Sequence, residues 1–240
     1  MSDSLRALLG LPDQGPLLIA LVGAGGKTTT LLALAREYKD RGCRVLVTTT
    51  TRIYVPQERD RLLLGPPDKA AEAGAEAGTI TVAGNAVEPN GKLVGFPEAW
   101  LDRMHRQGAY DVILTEADGS KGLPLKAPAA YEPVIPDSAT DVIGVIGMDA
   151  WGRPADNLSV HRLEQFCEVT GALPGQTIDN GLLLKLIGGP QGLFKGAPRT
   201  ARRHLLLNKC NDPIRLAAAR ELLAQCSQTG AGALHQGACR

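Results

Sequence analysis

Seven consecutive residues, Gly23-Ala24-Gly25-Gly26-Lys27-Thr28-Thr29, combine three glycines, an aliphatic spacer, an ammonium and two hydroxyls. Residues of those types in that order suit a polyphosphate. Glycine lets the backbone wrap closely around phosphate oxygens without a Cβ in the way. Successive N–H groups at the start of a helix present partial positive charge to an anion. Lys27 would reach the terminal phosphates, and Thr28 stands where a hydroxyl ligates Mg²⁺. The strict pattern G-x-x-x-x-G-K-[ST] would place a glycine where this chain has Leu21, so the form here is the shorter G-x-G-G-K-T-T. A glycine turn followed by a chance Lys-Thr pair would read the same in isolation, and the flanking elements must decide.

Phosphate chemistry at such a loop needs a carboxylate at the end of a neighbouring core strand, holding Mg²⁺ directly or through water. Glu116-Ala117-Asp118-Gly119 follows the apolar run at 111–115 (DVILT) and supplies two. Either Glu116 or Asp118 is expected as the Mg²⁺ partner, with the other positioning water; an acidic surface turn is the plainer alternative. Thr48-Thr49-Thr50-Thr51-Arg52 follows a second run. Thr50 and Arg52 there are candidates to touch a substrate, although threonine also simply favours strands. Lys121 and Lys126 flank a loop stiffened by Pro124 and Pro128, and could hold an anionic substrate beside the γ-phosphate or stand solvated. His161-Arg162 opens an expected helix, where positive charge would suit a phosphate; a single histidine is more often structural. Lys195, Arg199, Arg202 and Arg203 read as a solvated basic face. Asn208-Lys209 is similar to the start of the N-K-x-D guanine clamp, but Asn211 fills the fourth place and Asp212 lies one place late. ATP and GTP therefore both remain as ligands.

The elements that must carry these groups are legible as periodicity. Residues 17–22 (LLIALV) form a short unbroken apolar run, expected as a strand buried on both faces of a parallel sheet. Apolar residues then recur at helical spacing from Lys27 to Tyr38, with Gly42 as a stop, before a second strand at 44–49. Third, fourth and fifth core strands are expected at 111–115, 141–147 and 204–208, and helices at 97–107, 160–170, 177–187 and 213–225. Between 52 and 78 the chain reads as loop plus a short helix. Segments 79–83 and 92–95 flank Pro89-Asn90-Gly91 and are expected to pair as a hairpin. Alternating strands and helices predict an α/β fold, a mainly parallel, doubly wound P-loop NTPase-like sheet flanked by helices. A single domain over 1–240 is expected, with an inserted subdomain at 52–108.

Composition bounds the remaining options. Of 240 residues, 44% are hydrophobic and 4% aromatic, so the core must be aliphatic. Lys and Arg number 26 against 25 Asp and Glu, which gives no global reason to expect nucleic acid or an anionic membrane as partner. The five cysteines, Cys43, Cys167, Cys210, Cys226 and Cys239, are scattered with no C-x-x-C pair, and read as reduced thiols. No basic n-region precedes an apolar stretch near Met1, and a cytoplasmic location is expected.

The glycine loop resembles those of Mur-type amino-acid ligases and of the dimerising ATPases related to nitrogenase iron protein. A broader set of blocks resembles the YqeC-type accessory proteins of selenium-dependent molybdenum hydroxylases. These are the glycine loop, the segment from Val47 to Pro56 (VTTTTRIYVP), and that from Glu116 to Pro128 (EADGSKGLPLKAP). Tyr131-Glu132-Pro133, Val160-His161-Arg162, Gly192-Leu193-Phe194-Lys195-Gly196-Ala197-Pro198 and Leu207-Asn208-Lys209 complete them, so the resemblance covers nearly the whole chain. It implies a role in maturing a selenium-containing molybdenum cofactor, with a molybdenum hydroxylase or its cofactor as partner. A homodimer is expected by analogy alone.

Three function classes follow. The first is a Mg²⁺-dependent NTPase or NTP-dependent transferase in that maturation. The second is an amide ligase or small-molecule kinase on a similar core, although the chain lacks the separate C-terminal domain of Mur-type ligases. The third is a nucleotide-dependent switch or chaperone with negligible turnover.

Overall fold

Strands with no polar position have no face to offer water, so they must lie in the middle of a sheet covered on both sides. The computed structural model, which describes residues 4–67, 74–228 and 234–238, satisfies that demand. Its elements are α1 (Leu5–Leu8), β1 (Leu17–Gly23), α2 (Lys27–Lys39), β2 (Arg44–Thr49), β3 (Arg52–Tyr54), β4 (Arg61–Leu64), β5 (Thr79–Gly84), β6 (Ala86–Val87), β7 (Lys92–Val94), α3 (Glu98–Gln107) and β8 (Val112–Glu116). There follow β9 (Leu125–Lys126), β10 (Asp141–Gly147), a 3-10 turn (Met148–Ala150), β11 (Val160–His161), α4 (Leu163–Thr170), α5 (Asn180–Gly188), β12 (Arg202–Asn208), α6 (Pro213–Gln228) and β13 (Leu234–Ala238).

Eight strands form one sheet in the order β13-β12-β10-β1-β8-β2-β5-β4, and every neighbouring pair is parallel. The apolar strands β1, β8 and β10 are central and buried along their whole length. Alternate residues of β1 face opposite sides: Leu18, Ala20 and Val22 join one core cluster, Leu17, Ile19 and Leu21 the other. Leu31, Leu34, Ala35 and Tyr38 of α2 cover the second face. The first face is covered by Trp100, Leu101 and Met104 of α3 together with residues of α4, α5 and α6. Helices on both faces make the sheet doubly wound, as expected.

Register decides where the chemistry can gather. Leu21 pairs with Glu116, Thr49 with Glu116, Gly23 with Val145, and Gly147 with Asn208. The carboxyl ends of β1, β2, β8, β10 and β12 therefore meet along one edge, where open α/β sheets bind ligands.

Two expectations need correction. Segment 79–83 does not pair with 92–95; it belongs to β5, inside the main sheet between β2 and β4. The hairpin around Pro89-Asn90-Gly91 is instead β6 with β7, and β3 joins it as a separate three-stranded sheet. Residues 160–161 are not helical: β11 pairs with β9, and the helix begins only at Leu163. The short helix expected between 52 and 78 falls partly on 68–73, outside the described residues. No disulfide joins Cys43, Cys167, Cys210 and Cys226, and Cys239 lies outside the described residues. Among the described residues no helix is long and apolar enough to cross a membrane.

Candidate functional site

β1 ends at Gly23, and α2 begins four residues later at Lys27. The intervening turn is possible only with glycine. Gly25 has φ +86, and a Cβ there would lie 2.2 Å from the Gly147 backbone nitrogen. Lys27 opens α2 but points back into the loop, where its Nζ donates to the Gly23 carbonyl at 2.6 Å. Nζ also lies 3.0 Å from Asp118 Oδ1 and 3.4 Å from Glu116 Oε1. Asp118 accepts the Gly23 N–H at 3.1 Å, and Thr28 Oγ1 donates to Glu116 Oε2 at 2.7 Å. The two carboxylates, the ammonium and the hydroxyl thus form one unit.

The charges in that unit are unequal. Burial alone would depress the Lys27 ammonium, but Asp118 and Glu116 outweigh it and hold its pKa above the ordinary value. Burial raises the Glu116 carboxyl, and Lys27 and Thr28 oppose that only in part. Asp118 is shared between Lys27 and the buried Lys126, whereas Glu116 meets only Lys27 and the Thr28 hydroxyl in this unit. Mg²⁺ typically takes one or two carboxylates and otherwise phosphate oxygens and water. Glu116, Asp118 and the Thr28 hydroxyl are an oxygen donor set of that kind.

A cleft of about 810 Å³ opens above this unit. Gly25, Gly26, Lys27, Thr28, Thr29 and Glu116 form its floor. Arg52, Tyr54 and Lys92 come from the small sheet; Lys121, His161 and Arg162 stand elsewhere on the wall, with Lys209 also lining it. Asp118 and Gly23 lie beneath the floor, and the Ala24 N–H is held by the Val145 carbonyl at 2.9 Å.

Several candidates have different roles from those expected. Lys126 is 2% exposed, so it is not a solvated or substrate-facing lysine. Its Nζ reaches the Gly119 carbonyl at 2.7 Å and Asp118 Oδ2 at 3.1 Å, and it pairs with Glu132. Thr50 turns away from the cleft and donates to the Val134 carbonyl at 2.7 Å. His161 does not supply positive charge: burial, then Arg162, Lys126 and Lys121, push its pKa down to about 4. Asn208 braces the glycine loop, its Nδ2 donating to the Gly25 carbonyl at 2.9 Å, while Lys209 pairs with Asp149 at 2.9 Å. Asp212 accepts from the Arg215 N–H at 2.9 Å at the start of α6, so its use as a guanine clamp would cost that helix its cap.

Glu132 is the group whose role sequence reading missed. It is buried between Lys126 and Arg162 and hydrogen-bonds both. Burial pushes its carboxyl up, but the two cations outweigh this and hold it below the ordinary range. Its neighbours Tyr131 and Pro133 gave no chemical signal, because the cations that meet it are six and thirty residues away. Tyr131, Tyr54 and Lys92 were missed for the same reason.

A parallel, doubly wound sheet with a glycine loop between its central strand and the next helix makes this an α/β protein, an architecture consistent with that of P-loop NTPases. The family model described as YqeC protein matches residues 19–164. The chain is 36% identical over 217 residues to the uncharacterized protein YqeC of Escherichia coli (strain K12), covering 90% of this chain and 85% of that one. It therefore belongs to the YqeC family. No solved structure matches it.

Proposed function

We propose that the protein binds a nucleoside triphosphate, ATP or GTP, with Mg²⁺ at residues 23–29, and uses it to mature the selenium-containing molybdenum cofactor of hydroxylases. One observation carries the first part. Lys27, Thr28, Glu116 and Asp118 are joined by contacts of 2.7–3.4 Å beneath an open cationic cleft. Lys27 would leave the Gly23 carbonyl to neutralise charge on the transferring phosphate, as positioned cations do in phosphoryl transfer. Thr28 with Glu116 or Asp118 would hold Mg²⁺, whose contribution is to offset phosphate charge. The other carboxylate would orient the attacking nucleophile. The pathway rests on membership of the YqeC family alone.

Calorimetric titration with ATP and GTP, each with and without Mg²⁺, tests the site. Binding of at least one nucleotide is expected only with Mg²⁺, weakened at least about tenfold (1.4 kcal/mol) in Lys27→Ala. Thr28→Val keeps the buried ion pairs but removes a Mg²⁺ ligand, so Mg²⁺-dependent binding should weaken in it as well. Binding that is unchanged in both variants would sink the reading. For the pathway, a molybdenum hydroxylase made in cells lacking this protein should contain less selenium; unchanged content would remove that role.

A further inference from the structure

Among the described residues three non-glycine residues have positive φ: Lys121 at 51°, Arg162 at 65° and Lys209 at 61°. All three are cations, and all three line the same cleft. Left-handed backbone at a long side chain costs free energy, and such positions concentrate at ligand clamps. Lys209 is engaged with Asp149 beside the glycine loop. Lys121 and Arg162 are not part of the glycine-loop unit.

Their surroundings suit a second anion. Lys121 is exposed, and among the described residues it has no carboxylate partner. Arg162 pairs with Glu132 through Nη1, and its Nη2 donates to the Tyr131 hydroxyl at 3.1 Å. A guanidinium carries five N–H donors, so these two contacts leave donors for an incoming oxyanion. Its carbon lies 5.3 Å from the centre of the Tyr131 ring, which is 74% exposed. The small sheet presents a matching pair to the cleft: Lys92 lies 5.4 Å from the centre of the Tyr54 ring, itself 66% exposed. Large aromatic faces left open beside cations are surfaces on which a flat ring can stack. His161, beside Arg162, offers an uncharged imidazole at neutral pH.

We propose that Lys121 and Arg162 form a second anion subsite in the cleft, which holds the phosphate or carboxylate of a planar-ring co-substrate while a nucleotide occupies residues 23–29. The subsite deepens the nucleotide reading and rests on it for its role as acceptor site. Arg162 takes the oxyanion as a fork, Lys121 adds charge, and Tyr54, which lines the cleft, receives the ring.

The test is a titration of the full chain with phenyl phosphate, benzoate and inorganic phosphate. Each is run on the bare protein and with saturating Mg²⁺ and a non-hydrolysable nucleotide analogue. Arg162→Gly and Lys121→Gly remove the cations at backbone angles that glycine adopts without strain, so both variants should fold; their melting midpoints check this. At least one ring anion should bind the nucleotide-loaded protein, about tenfold more weakly in each variant. Binding of phenyl phosphate alone assigns a phosphate, and of benzoate alone a carboxylate. Phenyl phosphate should bind about threefold more tightly than inorganic phosphate; equal affinities overturn the ring. Absence of ring-anion binding, or binding unchanged in both variants, overturns the subsite. If the nucleotide fails to bind, that reading fails by itself, and ring-anion binding to the bare protein still reports on Arg162 and Lys121.

Discussion

At the scale of single residues, the site is a relay of alternating charge. Lys27 meets Asp118, Asp118 meets Lys126, Lys126 meets Glu132, and Glu132 meets Arg162. Glu132 bridges two of these cations, and Lys126, 1% exposed in its side chain, cannot turn to water when that partner is lost. Glu132→Gln is expected to destabilise the protein at neutral pH by roughly 3 kcal/mol, the loss of one partner from a buried pair. The pH dependence has a definite sign. Native Glu132 holds its proton less tightly than the unfolded chain, so its contribution is complete above the ordinary value of 4.5 and fades as pH falls through the depressed native value. Denaturant titrations at neutral and acid pH should show the gap between wild type and Glu132→Gln closing on the acid side. A gap independent of pH would show that the charge of Glu132 is not what matters.

Among elements, the join between the small sheet and the main sheet sets the cleft wall. Gly95 N–H donates to the Thr51 carbonyl at 3.1 Å and Phe96 N–H to the Thr49 carbonyl at 3.1 Å. A Cβ on Gly95 would lie 1.6 Å from the Thr49 carbonyl oxygen, which is backbone and cannot swing aside. Gly95→Ala should therefore push β7 from the end of β2 and carry Arg52, Tyr54 and Lys92 with it. The expected cost is roughly 2 kcal/mol, a fall of about 4–8 °C in melting midpoint for a chain of this size. An unchanged midpoint would mean that the two sheets are not held together by this approach.

Across the whole molecule, the two edges of the sheet do different work. The carboxyl edge carries the cleft. The amino edge carries a buried knot in which His204 lies 2.7 Å from Asp141 and 2.9 Å from the Leu9 carbonyl. Thr140 and Arg202 complete the contacts of Asp141. His204→Ala leaves buried acceptors short of a donor and should cost about 1–3 kcal/mol. Nucleotide affinity, measured below the lowered midpoint, should stay within twofold of wild type, roughly what sites separated by the length of the strands allow. A larger change would couple the two edges.

Local patterns in the chain were enough for the central strands, α2, the glycine loop and the acidic pair at Glu116 and Asp118. Each is a run of neighbours whose spacing dictates its backbone, although the burial of Glu116 and Asp118 came only with the fold. They were not enough for β4 and β5, because a strand in a parallel sheet pairs with residues far away in sequence, and a turn signal nearby offers a false local partner. Nor could they separate Lys121 from Lys126: both are lysines in one loop, yet one reaches solvent and the other is buried between Asp118 and Glu132. Burial and charge partnership are properties of side chains brought together from β8, β9, β11 and the loops between them. The sequence determined what groups were available and in what local form; the tertiary structure decided which of them face the cleft, because only closure of the sheet fixes their neighbours.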